Sequence, residues 1–125
     1  MNLTEKKLPE LGGSIVLYFP KEIPKAKITE LFKSPIDMRI FDDEVEITYK
    51  ELKKFYSWEV NDLLTSLFSL CDLDVLLNAR TNMNAKILVD IVFYHYNDIY
   101  PALLFEGDNM EIIHKLHADI SIDPY

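Results

Sequence analysis

Alternation of apolar and polar positions is most sustained over residues 86–97, KILVDIVFYHYN, and predicts one long central strand there. Ile87, Val89, Ile91, Phe93 and His95 line one side of it and are nearly all apolar, as a side lying under helices requires. Leu88, Asp90, Val92, Tyr94 and Tyr96 line the other, where a carboxylate and two phenols suit a side only partly covered. The rest of the chain arranges itself around this strand. Residues 14–19, SIVLYF, are β-branched and aromatic and stop at Pro20, which predicts a buried strand. Pro24 opens a helix through Ile28, Leu31 and Phe32 that Ser34-Pro35 ends. Residues 36–49 alternate on both sides of Asp42-Asp43, the pattern of a hairpin.

Residues 51–54 are charged and fit no single period, whereas Tyr56, Trp58 and Val60 alternate with Ser57 and Glu59 and predict a further strand. Asn61 then caps a long helix whose apolar stripe runs through Leu63, Leu64, Leu67, Phe68, Leu70 and Cys71. The stripe resumes at Val75, Leu76 and Ala79, so one helix is expected to last until residue 81 or 82, with Asp72 the point where it could break. After the central strand come a turn at 97–101, a short strand at 102–105, and a last helix opened by Gly107-Asp108. Asp108 and Glu111 have capping-box spacing there, and Ile112, Ile113 and Leu116 form its buried stripe. Residues 118–123, ADISID, close the chain as a strand with Ile120 and Ile122 inward and Asp119, Ser121 and Asp123 outward. The expected fold class is α+β: a single mainly antiparallel sheet with helices packed on one face, ferredoxin-like with extra strands. Residues 1–13, polar and closed by Gly12-Gly13, are expected to form a flexible N-terminal arm, and 14–125 a single domain.

Composition narrows what such a domain does. A chain of 125 residues, 49% of them apolar, buries roughly two-thirds of its unfolded surface without a disulfide or a metal. Cys71 is the only cysteine and falls within an apolar stripe, which fits a reducing compartment. No apolar run reaches spanning length and no signal-like block follows the N-terminus, so the expectation is a cytoplasmic protein with no membrane partner. The net charge of −8 is uneven: residues 1–60 hold 11 acidic and 10 basic side chains, residues 61–125 hold 10 and 3. An acidic second half repels nucleic acid and speeds encounter with a basic protein. The competing reading is that the charge serves solubility alone.

Candidate chemistry is sparse. Three glycines, Gly12, Gly13 and Gly107, cannot build a phosphate-cradling loop. A thiol in an apolar stripe is inert, so Cys71 is not read as a nucleophile. His114 and His117, with Glu111 before them, have helical ligand spacing but no third strong ligand, and the end of a helix is where a solvated histidine is favourable. The carboxylate groups at Asp42, Asp43 and Glu44, at Asp72 and Asp74, and at Asp119 and Asp123 suit turns and solvated edges. No catalytic residue, metal or cofactor is assigned, and the chain is not expected to be an enzyme. One combination stands out. Asp90, Tyr94 and Tyr96 share a strand face, with Asp98, Tyr100, Glu106 and Asp108 just beyond, and tyrosines beside carboxylates make good contacts to basic protein surfaces. Sheet packing by the tyrosines is the alternative explanation.

The C-terminal run HKLHADISIDPY, after a long alternating strand and the segment around Trp58, resembles an uncharacterised bacterial domain family. Members of that family end in a helix, a Gly- or Ala-Asp-Ile strand and an Asp-x-Tyr terminus, here residues 117–125. In size, acidity and aromatic content the chain also resembles the immunity proteins of contact-dependent growth inhibition and other polymorphic toxin systems. That resemblance implies a cytoplasmic, non-catalytic protein that binds and neutralises a cognate toxin domain, frequently a basic nuclease. Asp90, Tyr94, Tyr96, Asp98, Tyr100, Glu106 and Asp108 are then the expected partner-binding residues. The alternative function is a small-ligand-binding or regulatory domain, which a pocket with convergent polar groups would favour.

Overall fold

The computed structural model describes residues 10–32, 37–41, 44–94 and 103–124. Its elements follow in the order β1 (Glu10–Pro20), α1 (Lys25–Leu31), β2 (Asp37–Ile40), β3 (Glu44–Tyr56), a 3-10 turn (Ser57–Glu59), α2 (Val60–Leu70), α3 (Leu73–Asn82), β4 (Lys86–Tyr94), α4 (Gly107–Lys115) and β5 (Asp119–Pro124). The strands form one sheet in the order β2-β3-β1-β4-β5. The β2–β3, β3–β1 and β1–β4 pairs are antiparallel and β4–β5 is parallel. The first four strands thus have the ferredoxin-like arrangement, split βαβ units with a hairpin between them, and β5 is the extra strand. The fold is α+β.

Every described helix buries its apolar side against the same face of the sheet. Leu11, Ile15, Leu17 and Phe19 of β1, Val45 and Ile47 of β3, and Ile87, Val89, Ile91 and Phe93 of β4 join Ile28 of α1, Leu63, Leu64 and Leu67 of α2, Leu76 of α3 and Ile113 of α4 in a single core. Helix α2 packs across β1 and β3. Gly13 admits it: a Cβ at this position would stand 2.9 Å from Leu67 Cδ1 and 3.2 Å from Leu63 Cδ1. Phe32, just past α1, meets Phe19 and Tyr49 edge-on at centroid distances of 5.8 and 6.1 Å and holds α1 over the sheet.

Several local expectations are revised. Strand β1 begins at Glu10, so Gly12 and Gly13 lie inside a strand, where residues 1–13 were expected to be an arm; residues 1–9 lie outside the described segments. The strand expected through Tyr56, Trp58 and Val60 is instead the end of β3 followed by a 3-10 turn, because the Glu59 carboxylate accepts the Tyr56 N–H at 2.9 Å and turns the chain into α2. Helix α2 starts at Val60, and Asn61 is not its cap. The Asn61 side chain accepts the Glu106 N–H at 2.7 Å and donates to Leu104 O at 2.6 Å, which ties the 103–106 segment to the helix. Buried Asn109 completes this clip by donating to Asn61 O at 3.2 Å. Residues 103–105, expected in a strand, form no regular element, since their backbone is held by that side chain instead of a ladder.

The single helix expected to reach residue 81 or 82 is instead two helices, divided near Asp72. Asp72 caps α3, its side chain accepting from the N–H groups of Asp74 and Val75 at 3.0 and 3.4 Å. Asp108 does not cap α4, whose N-cap is Glu106; it lies in the first turn, where its charge favours the helix dipole. No helix among the described residues is long and apolar enough to cross a membrane.

Candidate functional site

Strand alternation leaves the second face of the sheet without a described helix. Register aligns its side chains in rows. At one end stand Tyr56, Glu10 and Tyr94; next come Gly12, Val92 and Asp123; then Lys50, Ser14, Asp90 and Ser121; then Asp37, Thr48, Val16, Leu88 and Asp119; then Arg39, Glu46, Tyr18 and Lys86. The β4–β5 side of this face is acidic, with Asp90, Asp119 and Asp123 against Lys86.

Asp90 sits within that acidic side. One of its carboxylate oxygens is shielded from solvent and has no hydrogen-bond donor among the described residues. Burial, and next the charge of Asp123, push its carboxyl above the ordinary range. The Ser121 hydroxyl acts in the opposite direction, but its single proton is donated to Asp123 Oδ2 at 2.6 Å. Asp90 is therefore a carboxylate that its surroundings satisfy poorly.

The aromatic end of the face is built around Gly12. A Cβ there would stand 2.7 Å from the Tyr94 ring, so the missing side chain lets the ring lie against the sheet. Lys54 Nζ lies 4.2 Å from the centroid of the same ring. Lys54 reaches it because β3 bulges: Leu11 pairs with Phe55 and Gly13 with Glu51, which places Leu52, Lys53 and Lys54 opposite Gly12 alone. The bulge pushes Leu52 out to 85% exposure. Two residues past Tyr94's row, Trp58 stacks on Tyr56 at 4.7 Å and 12° between planes and is still 66% exposed.

Of the residues singled out from the sequence, the structure puts Asp90 and Tyr94 together on this face. Tyr96, Asp98 and Tyr100 lie outside the described residues. Glu106 and Asp108 are exposed at the N-terminus of α4, in the helix layer on the other side of the sheet from Asp90. Tyr56, Trp58, Lys54, Asp119 and Asp123 were missed as members of the surface. Their alternation was visible for β5, but the parallel pairing that sets Ser121 beside Asp90 joins residues with no local signal between them.

The described residues hold no group of three or more His, Cys, Asp or Glu placed to share a metal ion. The rings of His114 and His117 are 6.0 Å apart and tilted by 41°. Burial pushes the Cys71 thiol up to about 12, and its Sγ donates to Leu67 O at 3.5 Å. Comparison with protein-family models, with curated proteins and with solved structures found no match for this chain.

Proposed function

We propose that the chain is a non-catalytic immunity protein that neutralises a cognate bacterial toxin domain by binding it through the open face of its sheet. The observation that carries this reading is the composition of that face: Asp90 and Asp123 beside Tyr94, with Tyr56 and Trp58 at its end, on a side that no described helix covers. Carboxylates on such a surface steer a basic partner and pair with its Arg or Lys side chains. Exposed aromatics provide the apolar anchors that dominate interface energies. A basic nuclease domain presents the complementary charge, because its own substrate is anionic. Asp90 adds its charge to this arrangement, and a guanidinium from the partner would offset a carboxylate that the described residues leave short of donors.

The test is co-expression and binding. The chain is expected to restore growth of cells producing the toxin domain encoded beside it, and the purified pair to bind more weakly as salt rises. Trp58→Ala and Asp90→Lys should each weaken the complex at least about tenfold, the level of an interface hot spot. Binding that is indifferent to salt and to both substitutions removes this face from the interface, and failure to protect removes the function.

A further inference from the structure

The end of the sheet opposite the aromatic residues carries a second feature. Strands β4 and β5 are parallel, so the turns that deliver the chain into them from α3 and α4 lie side by side. Strand β1 ends there and β3 begins there, and a cavity of about 660 Å³ opens between these parts. Arg80, Lys86 and His117 line it, with Tyr18. Residues 61–125 contain only three Lys or Arg, so two of the three cations in the acidic half of the chain converge on one cleft. Neither makes an ion pair with a described residue.

Two residues in the left-handed region lie at the same cavity. Asn84 and His117, at φ 59° and 50°, are the non-glycine residues with positive φ among those described, and both line this cavity. Each follows a helix C-terminus, and the next N–H turns back to Ala79 O at 3.1 Å and to Ile113 O at 3.0 Å respectively. Glycine serves such a position without strain, whereas a side chain there is held in the left-handed region at a cost. The dipole of α3 accounts for Arg80 in its last turn. The dipole of α4 likewise favours a histidine just past its end, and the cavity is where these side chains and Lys86 of β4 come together.

We propose that this cleft binds a small organic anion, its phosphate or carboxylate held by Arg80, Lys86 and His117. Glu44 and Asp119 also line the cavity and would repel a bare anion, so the ligand carries hydroxyl or amino groups that donate to them. A phosphorylated polyol has this chemistry. Tyr18, whose hydroxyl is pushed upward first by burial and then by Glu46, stays protonated and can donate to the anion. The cleft borders the far end of the open face, where Tyr18, Lys86 and Asp119 belong to both, but its test needs no protein partner.

Titration of the chain with glycerol 3-phosphate, followed by backbone amide NMR, is expected to give saturable shifts around Asn84, Lys86 and Ala118. Glycerol at the same concentrations should give none. Arg80→Gln and Lys86→Gln should each weaken binding about tenfold, as loss of a charge-assisted hydrogen bond does. His117→Gly separates function from folding: it should raise the melting temperature and lower the affinity together. Absence of saturable shifts in the wild-type chain, wild-type affinity retained in both charge variants, or undiminished affinity in His117→Gly would each overturn the proposal.

Discussion

Asp90 is the residue whose local energetics reach furthest. Its folded-state carboxyl lies above the ordinary value of 3.8 because burial and Asp123 disfavour the charge. Folding therefore gains stability as pH falls through the raised value toward 3.8, and loses it again as pH rises and the carboxylate ionises. Asp90→Asn is expected to raise the melting temperature at pH 7 and to flatten this part of the pH profile, as thermal melts between pH 4 and 7 would show. Glu51 works in the other direction: hydrogen bonds from the Ser66 hydroxyl and the Lys53 N–H hold its carboxyl below the usual range, so its contribution is present above about pH 4.5 and fades as pH falls. Cys71 should react with a soluble disulfide reagent at pH 8 only on unfolding, because its thiol is pushed up to about 12. The upward push on this thiol was legible in the sequence from its place in an apolar stripe. The plight of Asp90 was not, because Asp123 is 33 positions away and only the β4–β5 pairing sets it nearby.

At the level of elements, the two adjacent glycines of β1 do opposite work on opposite faces. Gly13 opens room for α2, so Gly13→Ala is expected to force Leu63 and Leu67 outward and to cost about 1–3 kcal/mol in urea unfolding, the usual cost of overpacking a core. At Gly12 the atoms nearest an added Cβ are those of the Tyr94 ring, the far end of a side chain that can turn aside, so Gly12→Ala should cost less, yet move the aromatic resonances of Tyr94. A reversed order of these two effects would show that the face assignment is wrong. Read from sequence, Gly12-Gly13 looks like the end of an arm, since glycine is a poor strand former and only close packing explains it here. The α2–α3 break was visible because Asp72 is a local signal, and the clip from Asn61 to the 103–106 segment was not, because its partners lie more than forty positions apart.

For the whole molecule, charge and topology act together. Asp90, Asp119 and Asp123 crowd one side of the open face, and Asp119 and Asp123 also place charge on edge strand β5, where it discourages pairing with another chain. Replacing all three with asparagine should raise the melting temperature at low ionic strength, and the gain should shrink as salt approaches about 0.15 M, where the Debye length is about 8 Å. A gain independent of salt would assign it to packing. The amino-acid sequence by itself determined the α+β class, a strand over residues 14–19, the alternation of β4 and β5, the helical stripes and the excess of acid in the second half, because each depends on near neighbours in the chain. The tertiary structure alone decided the strand order, the parallel β4–β5 pair, the bulge that brings Lys54 to Tyr94, the stack of Trp58 on Tyr56, and the cavity where two helix ends meet. Those features join residues far apart in sequence, and a residue's own period carries no information about which distant strand will lie beside it.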